Sequence, residues 1–352
     1  MRLFNASSHG NNFNFTRLLL ASSVIISHTY ETATGNSDKD FFSPILGAKI
    51  SSLAVDGFFF LSGFLVYASL LRRENVKNFM IARLARIWPG LIASVFVTVL
   101  IGACFTVLPI HSYLHDETKK FILNNISFIG GSYELSGVYC GKALCNVNGS
   151  LWSVPWEIRC YIFLSILFVL GFAGKDKIIK VVFPGTLAFV LAWHLVPHPD
   201  VTKGAIWFML GRIDRVWFMF ALGIVAFIFF EKIRLSWWIL LILFALTALQ
   251  NHFGIQGHIE SLLAGYTVLC LGFLTIGEKP FSAQWQDYSY GMYIYAFPMM
   301  TLLQQIFHFK NPWAFAFVNF SCTLPIAAMS WHFIEKPSVK WMGEWMAKAA
   351  KN

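Results

Sequence analysis

The feature that most constrains this chain is a succession of apolar stretches about 20 residues long, the length a helix needs to cross the hydrocarbon core of a bilayer. Ten can be cut from the 352 residues, at 13–31, 50–71, 87–107, 151–171, 178–196, 212–230, 236–251, 260–277, 289–308 and 312–334. In lipid, backbone polar groups have to be satisfied within the protein, so the pattern predicts an all-α integral membrane bundle of about ten transmembrane helices. Composition agrees, with 57% hydrophobic residues and 13% charged, against about 25% charged in soluble domains. No separate water-soluble domain is visible, and residues 1–352 read as a single transmembrane domain. The polar N-terminus MRLFNASSHGNNFNF leads into a hydrophobic stretch with no small-residue cleavage site behind it, so the first helix is expected to be retained.

A net charge of +9 is accounted for by basic cytoplasmic loops and does not call for nucleic acid. Lys and Arg concentrate in the segments that face one side, led by Arg72, Arg73, Lys77, Arg83 and Arg86, which predicts both termini in the cytoplasm. Cys104, Cys160, Cys270 and Cys322 lie in apolar stretches, where cysteine acts as a small hydrophobe. Cys140 and Cys145 lie in the polar loop VYCGKALCN on the predicted outer side and suit a short disulfide, the alternative being two free thiols.

Ionisable residues within membrane helices are costly and mark functional interiors. Arg17 and His28 are eleven residues apart, three helical turns, so they share one face of the first helix about 16 Å apart along its axis. Their plainer readings are an interfacial anchor and a headgroup histidine. Asp56, in AVDGFFFLSGFLVY, is expected to meet a histidine or arginine of another helix; a carboxylate favoured by a helix start is the alternative. Gly63 on the same face leaves room for a close helix or a ligand. In LWSVPWEIRCY, Ser153, Glu157 and Tyr161 form a polar stripe, as compatible with a structural ion pair of Glu157 as with catalysis. Phe79, Arg83 and Arg86 follow helical spacing on what reads as a short helix ending at Pro89. That arginine pair suits phosphate, or else anionic lipid headgroups. Pro298 and Pro325, inside the ninth and tenth stretches, are expected to be tolerated where neighbouring helices satisfy the freed backbone groups. The segment HPDVTKGAIWFMLGRIDR is expected to connect the fifth and sixth helices or to dip into the membrane.

Arg17 and His28, FFFLSGFLVY, the RLAR run of Arg83 to Arg86 with Pro89 behind it, LWSVPWE, DYSYGMYIYAFP and FIEKP together resemble the acyltransferase family 3 membrane enzymes over residues 13 to 337. The resemblance implies a multi-pass protein of the bacterial inner membrane that moves an acyl group, most often acetyl, from cytoplasmic acyl-CoA to a hydroxyl of an extracytoplasmic glycan or lipid-linked oligosaccharide. It further implies His28 as the catalytic histidine, Arg17 as a functional arginine of the same helix, and Arg83 and Arg86 as the pair on the CoA side; Arg72 and Arg73 are expected to help that pair hold the CoA phosphates. Many members carry His where Ala296 stands, and the chain resembles the stand-alone members that lack an SGNH-type esterase domain.

On this reading the donor substrate is acetyl-CoA or another acyl-CoA, with no metal. His28 is expected either to deprotonate the sugar hydroxyl or to be acylated first, with Asp56 or Glu157 orienting its imidazole. The rival reading is a transporter or flippase of lipid-linked sugar, which also needs intramembrane charge but has no use for a phosphate clamp on the inner side.

Overall fold

Apolar sequence without alternation favours helix wherever lipid forbids an unpaired backbone, and the described residues of the expected segments are mainly helical in the computed structural model. The structure describes residues 10–36, 40–140, 143–144, 146–200, 204–254, 258–273 and 285–349. The main helices are α1 (Phe13–Thr34), α2 (Ile50–Arg73), α3 (Val76–Ala103), α4 (Val154–Val169), α5 (Phe183–Leu195), α6 (Phe218–Ile228), α7 (Trp237–His252), α8 (Ile259–Phe273), α9 (Ser289–Phe307), α10 (Pro312–Ser330) and α11 (Lys336–Ala349). Among the described residues the strand content is a two-residue antiparallel ladder, Tyr139 opposite Leu144 and Cys140 opposite Ala143. Five helical stretches are long and apolar enough to cross a membrane: Ile50–Arg73, Val76–Ala103, Gly149–Val169, Lys175–Leu195 and Pro312–Ala349. Trp237–His252 and Ile259–Phe273 are apolar but shorter. Together they make this an all-helical membrane protein. Cys145 lies outside the described residues, and with it the expected Cys140–Cys145 disulfide; the other four cysteines are free thiols.

Three expectations about boundaries are corrected. The arginine-bearing helix does not end at Pro89: α3 runs through it to Ala103, and Tyr290 donates to the Ile87 carbonyl in that turn (2.9 Å). The sixth stretch does not begin its helix at 212. Ala205–Arg212 is helical and continues through a π turn, Ile213–Trp217, into α6. Nor does the chain leave the helix at FIEKP, because Glu335 closes another π turn, Trp331–Glu335, that joins α10 to α11. Such turns insert one residue into a helix and are frequent at functional sites.

The chain forms two compact units. The first comprises 1–16, 42–76 and 159–285. Here α2 packs along α6 at very short range, because Gly63 faces the Phe220 carbonyl and Gly223 faces the Phe60 carbonyl, leaving no space for a Cβ on either side. The close helix is therefore what Gly63 admits. Phe64 is buried among the edges of Phe13, Phe227, Phe230 and Phe273.

The second unit comprises 17–41, 77–158 and 286–352. Its α9 and α10 pack together over Met300, Leu303 and Phe315. Pro298 has no N–H to offer the carbonyl of Ile294 one turn earlier. Ser94 Oγ of α3 and Asn148 Nδ2 donate to that carbonyl instead, each at 3.0 Å, so neighbouring segments supply the missing donors as expected.

Candidate active site

Within the second unit, α1 carries Arg17 and His28 on one uninterrupted helix. His28 Nδ1 lies 3.2 Å from Glu31 Oε2, one turn further along the same helix, and the ring meets the edge of Phe297 with centroids 5.4 Å apart. A carboxylate on Nδ1 favours the tautomer with the proton on that nitrogen and leaves the Nε2 lone pair for chemistry. The neighbouring Ser27 hydroxyl donates to the buried Asp40 carboxylate (2.7 Å) and lies 3.4 Å from Glu31 Oε1. The histidine itself keeps more than a quarter of its side chain exposed, at 28%.

Three turns back on α1, Arg17 Nη1 binds Asp287 Oδ2 at 3.0 Å. The same carboxylate oxygen takes Arg86 Nη2 at 2.9 Å, and Arg86 Nη1 binds Glu335 Oε2 at 2.5 Å. Arg86 also lies over the Trp331 ring, 4.8 Å from its centroid. Four of the short motifs thus converge: Arg17, Arg86 of RLAR, Asp287 of DYSYGMYIYAFP and Glu335 of FIEKP. Two guanidiniums balance two carboxylates. Burial alone would raise the Asp287 carboxyl, but Arg17, Arg86 and the Ser289 hydroxyl outweigh it and hold the group below its ordinary value.

This arrangement redefines some sequence expectations. Arg86 is engaged by two acids, whereas Arg83, a turn earlier on α3, is partly exposed. Arg72 and Arg73 are exposed at the end of α2 in the first unit. Asp56, also in the first unit, meets an arginine of another helix: Arg215 Nε lies 2.7 Å from Asp56 Oδ1, and Arg215 Nη2 donates to the Ser52 carbonyl at 2.7 Å. Glu157 is half-buried in the second unit within electrostatic reach of Tyr290, one turn after Ser153, whose hydroxyl is 2.9 Å from that of Tyr293. The carboxylate found on His28 is Glu31. Glu31, Asp287 and Glu335 escaped the sequence reading because each stands at or just beyond the edge of an apolar stretch. The signal for Glu31 was its i+3 spacing from His28, which puts both on one face.

One helix of this membrane protein thus carries a carboxylate-bound histidine and an arginine tied into a part-buried cluster of two arginines and two acids, an arrangement suited to acid–base chemistry. The comparisons are more specific: residues 11–332 match the acyltransferase domain that defines acyltransferase family 3, and the chain belongs to that family. Among its relatives are nodulation protein 10 of Rhizobium leguminosarum bv. viciae, 25% identical with 95% of each chain covered, and an O-acetyl transferase of Shigella phage Sf6, 25% identical with 93% of this chain and 95% of the relative covered. No solved structure matches the chain. The protein is an acyltransferase.

Proposed function

We propose that the protein is an O-acetyltransferase that moves the acetyl group of cytoplasmic acetyl-CoA to a hydroxyl of an extracytoplasmic glycan or lipid-linked oligosaccharide. It would sit in a bacterial inner membrane with ten crossings and both termini in the cytoplasm. The observation that carries the chemistry is His28 held by Glu31 through Nδ1. With that nitrogen protonated, Nε2 takes the proton of the acceptor hydroxyl while its oxygen attacks the thioester carbonyl. The C–S bond then breaks, and the CoA sulfur leaves with the proton that His28 returns. The acceptor oxygen gains the acyl group, so atoms and charge balance. The O-acetyl transferase among the relatives supports an oxygen acceptor.

On the donor side, Arg83 is assigned to the CoA phosphates, and the exposed Arg72 and Arg73 to attraction of the same polyanion. Arg86 and Arg17 fix Asp287 and thereby the inner end of the α1 stripe. Asp56 and Glu157 are assigned to support: Asp56 holds Arg215, and Glu157 adds negative charge near Tyr290.

The test is to supply membranes carrying the full chain with labelled acetyl-CoA and to follow label into surface glycan. Wild type should transfer label, and His28→Ala, accumulating to the same level, should not. Undiminished transfer by His28→Ala overturns the catalytic assignment. Absence of any transfer by wild type, with movement of lipid-linked sugar instead, favours the transport reading.

A further inference from the structure

We propose that the first unit holds a zinc site, made by His194, Asp214 and His258, which pins the end of α5 and the entry to α8 onto the π turn that precedes α6. His194 stands in the last turn of α5, Asp214 in the π turn Ile213–Trp217, and His258 immediately before α8. The candidate ligand atoms of all three lie within 4.8 Å of one another. His194 Nε2 is 2.9 Å from His258 Nε2 and 3.5 Å from Asp214 Oδ2. Ligands of one tetrahedral zinc stand about 3.3 Å apart when its bonds are about 2.0–2.1 Å, and these two spacings bracket that value.

A second observation points the same way. The Asp214 side chain is nine-tenths buried, with 9% exposed, yet its Oδ1 is buried without a hydrogen-bond partner. A buried carboxylate oxygen left unmatched is costly, and a cation bound by this carboxylate offsets that cost. The His194 and His258 Nε2 atoms face each other at 2.9 Å, so both ring nitrogens are turned to the same point. Two histidines and one carboxylate form a donor set suited to borderline divalent zinc, with a fourth position left for water on the side where His194 is exposed.

Aromatic rings pack around these residues. The Phe218 ring packs against His258 with centroids 5.2 Å apart. The loop after α5 is braced by His198 stacked on Trp193 (3.8 Å) and Trp207 (6.0 Å). Asp214 is followed by Arg215, the partner of Asp56, so an ion on Asp214 would fix the π turn that aims Arg215. The three proposed ligands, His194, Asp214 and His258, have no part in the acyl-transfer reading.

The experiment uses the full chain purified in detergent with any polyhistidine tag removed. Metal analysis after dialysis should find about one zinc per chain, and X-ray absorption of that zinc should show imidazole and oxygen ligands at about 2.0–2.1 Å. His194→Gln and His258→Gln should each lower zinc affinity at least tenfold in competition with a chelating dye. Cobalt should give a tetrahedral visible spectrum in wild type that both variants lose. Wild type that retains no zinc, absorption data without imidazole, or variants that bind zinc as tightly as wild type would each overturn the site. The absorption measurement needs only wild type, so it decides the matter even if a variant does not fold.

Discussion

His28 and Glu31 form an i, i+3 pair on one helix, with Nδ1 and Oε2 3.2 Å apart and the glutamate side chain only 12% exposed. A base and the acid that orients it are therefore carried by a single rigid element. Phe297 of α9 packs against the ring from outside that helix.

If Glu31 acts through the imidazole, Glu31→Gln should preserve folding while lowering kcat by about 10²–10⁴-fold, because the amide no longer stabilises the imidazolium that forms in the transition state. The KM for acyl-CoA should stay near the wild-type value, since Glu31 is assigned no contact with the donor. Glu31→Asp should recover part of the rate. Steady-state kinetics on reconstituted protein read this out, and an equal fall in kcat for Glu31→Asp and Glu31→Gln would mean that the residue serves packing alone.

Arg86 supplies the charge that makes Asp287 and Glu335 tolerable in the interior. Arg86→Ala leaves two carboxylates short of a partner and should destabilise the protein by about 3–5 kcal/mol, because breaking a buried pair from one side exposes the desolvation cost of the other. Arg86→Lys should recover less than half of that loss. An ammonium cannot span two acids with the fixed fork of a guanidinium, nor lie flat on Trp331. Thermal unfolding in detergent, followed by retention of monodisperse protein, measures both.

The helical segments were legible because lipid removes the alternatives: once 20 apolar residues recur, backbone satisfaction leaves helix as the outcome. Their ends were less so. Pro89 reads as a stop in water, yet α3 passes through it. A π turn has no compositional mark, so the continuations at Ile213–Trp217 and Trp331–Glu335 were hidden. The site divided along the same line. Arg17, His28 and Asp56 were visible because charge inside an apolar run stands out. Asp287 and Glu335 sit just past such runs, where acids are ordinary, and only the fold shows both gripping Arg86.

Asp56 and Arg215 should behave as one unit. Asp56→Ala and Arg215→Ala each strand a charge, and Asp56 is nearly fully buried. The double variant Asp56→Ala with Arg215→Ala should therefore lose less stability than the two single losses added, by about 0.5–3 kcal/mol. A double-mutant cycle on melting temperature checks this, and additivity would show that the contact contributes nothing.

The Asp287 carboxyl sets the acid limit of the cluster. Its folded pKa lies below the ordinary value, so the ionised form stabilises the fold. That contribution is complete above the unfolded pKa of about 3.9 and is lost as pH falls from there through the folded pKa. Between pH 7 and about 5 the Arg17–Asp287–Arg86 cluster should thus contribute a constant amount, and the loss should begin only near pH 4. Asp287→Asn has no proton to take up, so its stability should be lower than wild type at pH 7 while the gap narrows on descent below pH 4. Melting temperatures of both proteins across that range make the comparison. A gap that closes already between pH 7 and 6 would assign the titration to another group, because a depressed carboxyl is fully ionised there.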